Sequence, residues 1–232
     1  MILLRNYLCC TDFNRAGLKR LLSYVLTVYK ECNITTFPID CFSILRHYGF
    51  KVLSYSELKE INFELYTICQ SCTEDAFTYE KIIAYNEKNT SERIRFSLMH
   101  ELGHYIMDLP STDKSFEDLA DYFASNILVP RATIWHMRSD SVRGICRTYG
   151  VSCMAANRIY EDYKMCHLSE CKEINQEIHN WFFPVIIPEM PVPKPKRILE
   201  QKEPKEKHTA WAEYHDMLER YFPERLQNYI LR

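Results

Sequence analysis

The stretch SERIRFSLMHELGHYIM, residues 91–107, constrains the fold more than any other part of the chain, because it carries two histidines four positions apart. Its apolar residues recur with the 3.6-residue period of an amphipathic helix: Ile94, Leu98, Leu102 and Ile106. On one face of a helix, residues four apart have Cβ atoms about 6 Å apart, so the rings of His100 and His104 can reach one metal ion. The sequence therefore predicts a helix with one face in the core and the other facing a metal site.

Glu101 follows the first histidine, which completes the pattern H-E-x-x-H. In this motif the glutamate does not bind the metal but acts as general base on a water molecule. The pattern arises by chance in well under about one chain in a hundred of this length. Because it also lies in a segment with helical periodicity, we interpret it as a metal site and not as a coincidence.

Two histidines leave a catalytic zinc ion short of one protein ligand, since such ions generally bind three protein groups and a water molecule. Glu117 lies thirteen residues after His104, at the start of the next predicted helix, and is the expected third ligand. Other nearby carboxylates could take its place: Asp108, Asp113 and Asp118.

Asp121 lies four residues after Glu117 and is expected on the same face of that helix. Its carboxylate could accept the outer N–H of a ligating histidine, which would fix the tautomer of the ring and raise its basicity. We expect His100 to be the recipient.

Three stretches, RIRFSLMHELGH, FEDLADYFASNILVP and GVSCMAANR, resemble the ImmA/IrrE family of metallo-endopeptidases. The resemblance covers roughly Arg15 to Lys164 and implies a compact α+β zinc protease, similar to thermolysin around its metal helix, that cuts a helix-turn-helix repressor. By position it implies His100, His104 and Glu117 as zinc ligands and Glu101 as the catalytic residue. The chain departs from the family at Leu119, where many relatives carry an acidic residue.

The rest of the chain predicts a mainly helical α+β fold with a small antiparallel sheet. Helices are expected over FNRAGLKRLLSYVLTVYKEC, between Pro38 and Gly49, and over SFEDLADYFASNILVP, residues 131–148 and residues 153–165. Strands are expected at KVLSY, FELYTICQ, AFTYE and KIIAYN. For the helices around the metal site, Asn89 and Ser115 are the expected N-caps, and Pro130 is expected to end the second helix.

We expect residues 1–183 to form the metallopeptidase domain, followed by an extended linker over residues 184–207 and a helix over residues 208–232. The linker contains six prolines and many charges. An aromatic stripe on the last helix, Trp211, Tyr214, Leu218, Tyr221 and Phe222, could dock on the domain or bind a partner.

Charge, the N-terminal sequence and cysteine content limit the partners, the location and the further metal sites that we expect. Lys and Arg number 29 against 31 Asp and Glu, so no general nucleic-acid-binding field is expected, although GVSCMAANRIYEDY could pass for half of a helix-turn-helix. The N-terminus lacks a secretory signal and no apolar span of about 20 residues is present, so we expect a cytoplasmic protein that does not bind membranes. The ten cysteines are expected to be thiols, although Cys69, Cys72, Cys166 and Cys171 could form a four-thiolate zinc site.

These features favour a zinc-dependent endopeptidase acting on a regulatory protein, with a helix-turn-helix repressor as the expected substrate. The main alternative is a zinc-stabilised binding protein without catalysis, which the presence of Glu101 disfavours. A peptidase acting outside the cell is disfavoured by the missing export signal. Stabilisation of the oxyanion requires a further donor, for which four residues have suitable side chains: Tyr79, Tyr105, Tyr122 and His136.

Overall fold

The computed structural model describes residues 15–110, 114–166 and 171–184. The predicted linker, apart from Pro184, and the predicted C-terminal helix lie outside the described residues. No helix within the described ranges is long and apolar enough to cross a membrane.

Two helices open the described part of the chain. Helix α1, Arg15–Glu31, buries the predicted apolar stripe, with Val25 and Val28 fully inaccessible to solvent. Helix α2, Cys41–His47, begins where the side chain of Asp40 accepts a hydrogen bond of 3.1 Å from the backbone N–H of Ser43. The chain leaves α2 through Gly49, whose φ of 79° favours glycine.

A three-stranded sheet follows, in the order β1, β3, β2. Its strands are β1, Lys51–Ser54, β2, Ala76–Tyr79, and β3, Ile82–Tyr85. Strand β2 pairs with β3 in antiparallel fashion, whereas β1 pairs with β3 in parallel. The prediction of a small antiparallel sheet therefore holds for β2 and β3 but is wrong for β1. Two helices between β1 and β2 return the chain to the end of the sheet where β1 stops, and β2 then runs back, so that β3 lies parallel to β1.

Those two helices are α3, Tyr55–Ile61, and α4, Phe63–Cys72. The predicted strand FELYTICQ is wrong, because this stretch forms α4. The side chain of Asn62 accepts a hydrogen bond of 2.9 Å from the backbone N–H of Leu65 and so caps the helix. The buried residues Leu65 and Cys69 lie four apart, on one face of a helix.

The next two helices form an antiparallel pair. Helix α5 spans Ser91–Met107 and α6 spans Lys114–Leu128. The N-cap of α5 is Thr90 and not the predicted Asn89, whose side-chain amide instead donates to the carbonyl of Glu74. Ser115 lies inside α6, so its prediction as a cap is also wrong, while α6 ends before Pro130 as expected.

The predicted helix over residues 131–148 is interrupted. A 3₁₀ turn at Arg131–Thr133 is followed by irregular chain, and helix α7 begins only at Val142 and ends at Tyr149. The side chain of Ser141 caps α7, and a positive φ at Arg138 ends the preceding turn. Helix α8, Cys153–Cys166, agrees with the prediction, and α9, Lys172–Phe182, is an additional helix.

The main core lies between α1, α5 and α6, where Leu98, Leu102, Phe123 and Ile127 are fully buried. The fold class is confirmed: the protein is α+β, mainly helical, with a small sheet beside the helix that carries H-E-x-x-H.

Candidate metal centre

Helix α5 separates the core from the metal-site residues on its two faces. Leu98 and Leu102 are buried in the core, and the rings of His100 and His104 lie on the other side with 12% and 13% of their side-chain surface exposed. Both rings are thus held in place by packing while an edge remains accessible.

Helix α6 approaches α5 closely at Gly103. A Cβ atom built on this glycine would lie 3.0 Å from Cδ1 of Phe123 and 3.3 Å from Cα of Ala120. The absence of a side chain at Gly103 therefore allows the two backbones to pack at this distance. The first turn of α6, which carries Glu117, is brought beside the histidines.

Three donor groups converge between the helices. Nε2 of His100 is 3.1 Å from Nε2 of His104. The two carboxylate oxygens of Glu117 are each 3.3 Å from one of these nitrogens, Oε2 from His100 and Oε1 from His104. Among the described residues, these three form the group of His, Cys, Asp and Glu side chains that could hold a metal ion.

The spacing fits a tetrahedral metal ion. Zinc bonds of about 2.0–2.1 Å to nitrogen and oxygen, arranged tetrahedrally, separate neighbouring donor atoms by roughly 3.3 Å. The observed separations of 3.1 and 3.3 Å match this value.

Asp108 and Asp118, the described alternatives to Glu117, are not in the group, and Asp113 lies outside the described residues.

The other nitrogen of each ring also has a partner. Nδ1 of His100 lies 2.7 Å from Oδ1 of Asp121, the pairing expected from the sequence. Nδ1 of His104 lies 3.2 Å from the carbonyl oxygen of Leu109, which the left-handed backbone of Asp108 turns back towards α5. An N–H on each Nδ1 leaves the lone pair of each Nε2 facing the shared space.

The acidic neighbours of His100 change its titration. Burial lowers the pKa of this ring, but the hydrogen bonds with Asp121 and Glu117 outweigh burial and raise the pKa to about 9. The site therefore has a strong preference for positive charge, as expected of a cation-binding site.

We call His100, His104 and Glu117 the ligand group. Glu101 follows His100 in the chain and is not part of this group. The hydroxyl of Thr78 in strand β2 donates a hydrogen bond of 2.6 Å to Oε2 of Glu101. Burial raises the pKa of this carboxyl above its ordinary value, although the Thr78 hydrogen bond and the two histidines oppose the shift. Sequence reasoning missed Thr78, because no spacing relates it to the motif.

The four oxyanion candidates differ in exposure: Tyr122 is buried, whereas Tyr105 and Tyr79 are both about half-exposed. Tyr122 is buried and donates to Asp162, and Tyr105 packs edge-on against Phe50. The ring of His136 stacks on Phe183. Tyr79 is half-exposed and follows Thr78 at the end of β2.

The alternative cysteine site receives no support from the described residues. Cys69 and Cys72 lie three apart in α4, and neither belongs to a group able to hold a metal. Cys171 is buried at the start of α9. Six other described cysteines are free thiols: Cys32, Cys41, Cys69, Cys72, Cys146 and Cys153.

Comparison with known proteins points to one family. The family model described as Peptidase_M78, IrrE N-terminal-like domain, matches residues 60–160, which include helices α5 and α6 in full. Neither the curated proteins nor the solved structures gave a match. The family match supports a metallopeptidase-type function and implies a metal.

Proposed function

We propose that this chain, which belongs to the Peptidase_M78 (IrrE N-terminal-like) family over residues 60–160, is a zinc-dependent endopeptidase. We further propose that its substrate is a regulatory protein of the helix-turn-helix repressor class. His100, His104 and Glu117 would hold the zinc, Glu101 would act as general base, and Asp121 would orient His100.

The observation that carries this proposal is the convergence of two imidazole nitrogens and one carboxylate at 3.1–3.3 Å from one another. Two imidazoles and one carboxylate form a donor set used by catalytic zinc sites, which keep a fourth position open. Structural zinc is usually bound by four thiolates, or by thiolates and imidazoles together, which close the coordination sphere. The donor set therefore favours catalysis over a purely structural role.

When bound at this site, zinc would polarise the scissile carbonyl and lower the pKa of the attacking water. Glu101 then takes a proton from that water and later gives it to the leaving amine. Thr78 holds one oxygen of the Glu101 carboxylate, which leaves the other oxygen available to exchange the proton. Hydrolysis by this route needs no covalent intermediate with the protein.

The substrate class comes from the resemblance of RIRFSLMHELGH, FEDLADYFASNILVP and GVSCMAANR to the ImmA/IrrE family. A repressor is a protein and acts on DNA itself, so the proposal needs no basic face on this chain, whose formal charge is -2. We propose a cytoplasmic location for the same reason, because repressors act where the DNA is.

The alternative is a zinc-stabilised protein that binds a regulator without cutting it. A binding scaffold has no need of Glu101, whereas the part-buried Thr78–Glu101 hydrogen bond holds that carboxylate beside the proposed ligands. The two functions make opposite predictions for substitution of Glu101.

The decisive experiment mixes the purified, zinc-loaded chain with a candidate helix-turn-helix repressor from the same organism. We expect a cleaved repressor band that Glu101→Gln abolishes and that Glu64→Gln, an equivalent change on the exposed face of α4, leaves unchanged. Binding of the repressor without cleavage by any of the three proteins would favour the scaffold.

Metal analysis of the same preparations separates the base from the ligands. Glu101→Gln is expected to retain about one zinc per chain, because Glu101 is outside the ligand group. His104→Ala is expected to lose the metal. Loss of zinc in both variants would contradict the proposal that Glu101 is a general base and not a metal ligand.

A further inference from the structure

Two thiols meet where helix α7 ends and helix α8 begins. Sγ of Cys146 lies 3.6 Å from Sγ of Cys153, and both cysteines are free. Neither residue belongs to the metal-ligand group. The metallopeptidase function leaves this pair without a role.

The α7–α8 corner is held by hydrogen bonds at both helix ends. The N–H of Gly150, whose φ of 64° favours glycine, donates to the carbonyl of Cys146 at 3.0 Å. The hydroxyl of Ser152 accepts from the N–H of Ala155 at 3.2 Å and caps α8. These caps fix the last turn of α7 and the first turn of α8, which carry the two thiols.

Buried contacts anchor this corner to the rest of the domain. Tyr149 is fully buried, and its hydroxyl lies 2.7 Å from Oγ1 of Thr133. Its carbonyl accepts a hydrogen bond of 3.2 Å from Arg95, which projects from α5. The two sulfur atoms are thus brought together by packed helices, not by a flexible loop.

We propose that Cys146 and Cys153 form a reversible disulfide when the protein meets an oxidised low-molecular-weight disulfide such as glutathione disulfide. A disulfide bond is about 2.05 Å long, so bond formation must bring the two sulfur atoms roughly 1.5 Å closer than they lie in the present contact. The inference stands independently of the proposed peptidase function.

The reaction is a pair of thiol–disulfide exchanges. Cys153 is exposed, so its sulfur attacks glutathione disulfide first and releases one glutathione thiolate. Cys146 then loses its proton, its sulfur attacks Sγ of Cys153, and the second glutathione leaves. Two protein thiols are oxidised and one glutathione disulfide is reduced to two thiols.

The surroundings of Cys146 suit it to the second step. Its side chain is half-buried, and burial together with the Cys153 contact raises the pKa of its thiol to about 11. Such a thiol reacts slowly with reagents in solution. Its contact with Cys153 supplies a high effective concentration for the intramolecular step.

Tryptic peptides make the product easy to recognise. Cleavage after Arg143, Arg147 and Arg158 places Cys146 in GICR and Cys153 in TYGVSCMAANR, each with a single cysteine. The full-length protein is incubated with glutathione disulfide, remaining thiols are alkylated, and the digest is analysed by mass spectrometry. We expect the two peptides joined by a disulfide, and separate again after reduction.

Two variants test the order of events. Cys146→Ser is expected to accumulate glutathione on Cys153, because no second thiol displaces it. Cys72→Ser, which removes an exposed cysteine in α4, is expected to leave the linked peptides unchanged. Melting curves of both variants verify that they fold.

Cysteines this close in sequence also pair in an unfolded chain. The proposal therefore requires that the folded structure makes the disulfide more favourable than it is in the unfolded chain. We expect the ratio of the squared concentration of reduced glutathione to the concentration of glutathione disulfide at half-oxidation to be roughly tenfold or more higher in buffer than in urea. Equal ratios in the two conditions would overturn the proposal. Oxidation of other cysteines with no linked GICR–TYGVSCMAANR pair would overturn it as well.

Discussion

The hydroxyl of Thr78 in strand β2 donates a hydrogen bond of 2.6 Å to Oε2 of Glu101 in helix α5. This contact joins the small sheet to the prospective general base, while the ligand group comes entirely from α5 and α6. The sheet thus supports the base and the helices support the metal, so substitutions can affect one function without the other.

Thr78→Val is expected to lower kcat by roughly tenfold or more, because a hydrogen bond to a charged group contributes about 1.5–3 kcal/mol. Zinc content should not change, since Thr78 does not contact the ligands. Thr78→Ser keeps the hydroxyl and should restore most of kcat. Steady-state kinetics on the repressor and zinc analysis check this. A Ser variant as slow as Val would mean that the hydroxyl has no such role.

Asp121→Asn is expected to weaken zinc binding by about 10–100-fold, the usual effect of removing a carboxylate partner from a metal-binding histidine. Its carboxylate lies 2.7 Å from Nδ1 of His100. Competition with a chromophoric chelator measures the affinity. Asp118→Asn, three residues earlier on the same helix, serves as control and should bind zinc like the parent. Equal affinities for the two variants would contradict the role given to Asp121.

Gly103→Ala is expected to lower the free energy of unfolding by up to about 2 kcal/mol, the net of two opposing effects. Alanine favours a helix over glycine by about 1 kcal/mol, but overpacking costs about 1–3 kcal/mol, and a backbone atom of α6 lies only 3.3 Å away. Urea unfolding measures the change. The loss in the double variant Gly103→Ala/Phe123→Leu should be smaller than the sum of the two single losses, because the atom at 3.0 Å is removed. Stabilisation by Gly103→Ala alone would show that the two helices can separate freely.

Asp162→Asn is expected to lower the free energy of unfolding by about 3–5 kcal/mol, because it leaves a buried guanidinium without its counter-charge. Asp162 accepts a hydrogen bond of 2.9 Å from Nε of Arg131, and both side chains are less than a tenth exposed. Glu161→Gln is the matched control, since this neighbour pairs with Lys164 on the surface and should cost less than about 1 kcal/mol. Similar losses in the two variants would argue that Arg131 does not depend on Asp162.

The metal helix could be predicted because its residues have both a period and a motif. The stripe through Leu98 and Leu102 places one face of α5 in the core, and His100 and His104 then have to share the other. Helical spacing also relates Glu117 to Asp121. What spacing could not supply was the distance between α5 and α6, which depends on the contact of Gly103 with Ala120 and Phe123.

The sheet was harder to predict, because the strand expected at FELYTICQ rested on residue type and left out the helix cap that precedes it. Aromatic and β-branched residues in FELYTICQ favour a strand, yet Asn62 caps this stretch as a helix and Leu65 and Cys69 supply its buried face. The same competition moved the N-cap of α5 from Asn89 to Thr90, because the Asn89 side chain bonds Glu74 and Asp75. A local cap decided the first case, whereas contacts distant in the chain decided the second.

The left-handed turn at Asp108 sets the orientation of one of the proposed metal ligands, His104. Its backbone directs the carbonyl of Leu109 at Nδ1 of His104, so this ring is oriented by main chain, while the ring of His100 is oriented by a side chain. A point substitution at Asp121 can therefore change the orientation of the His100 ring. An altered orientation of His104 requires a change in the backbone of the turn itself.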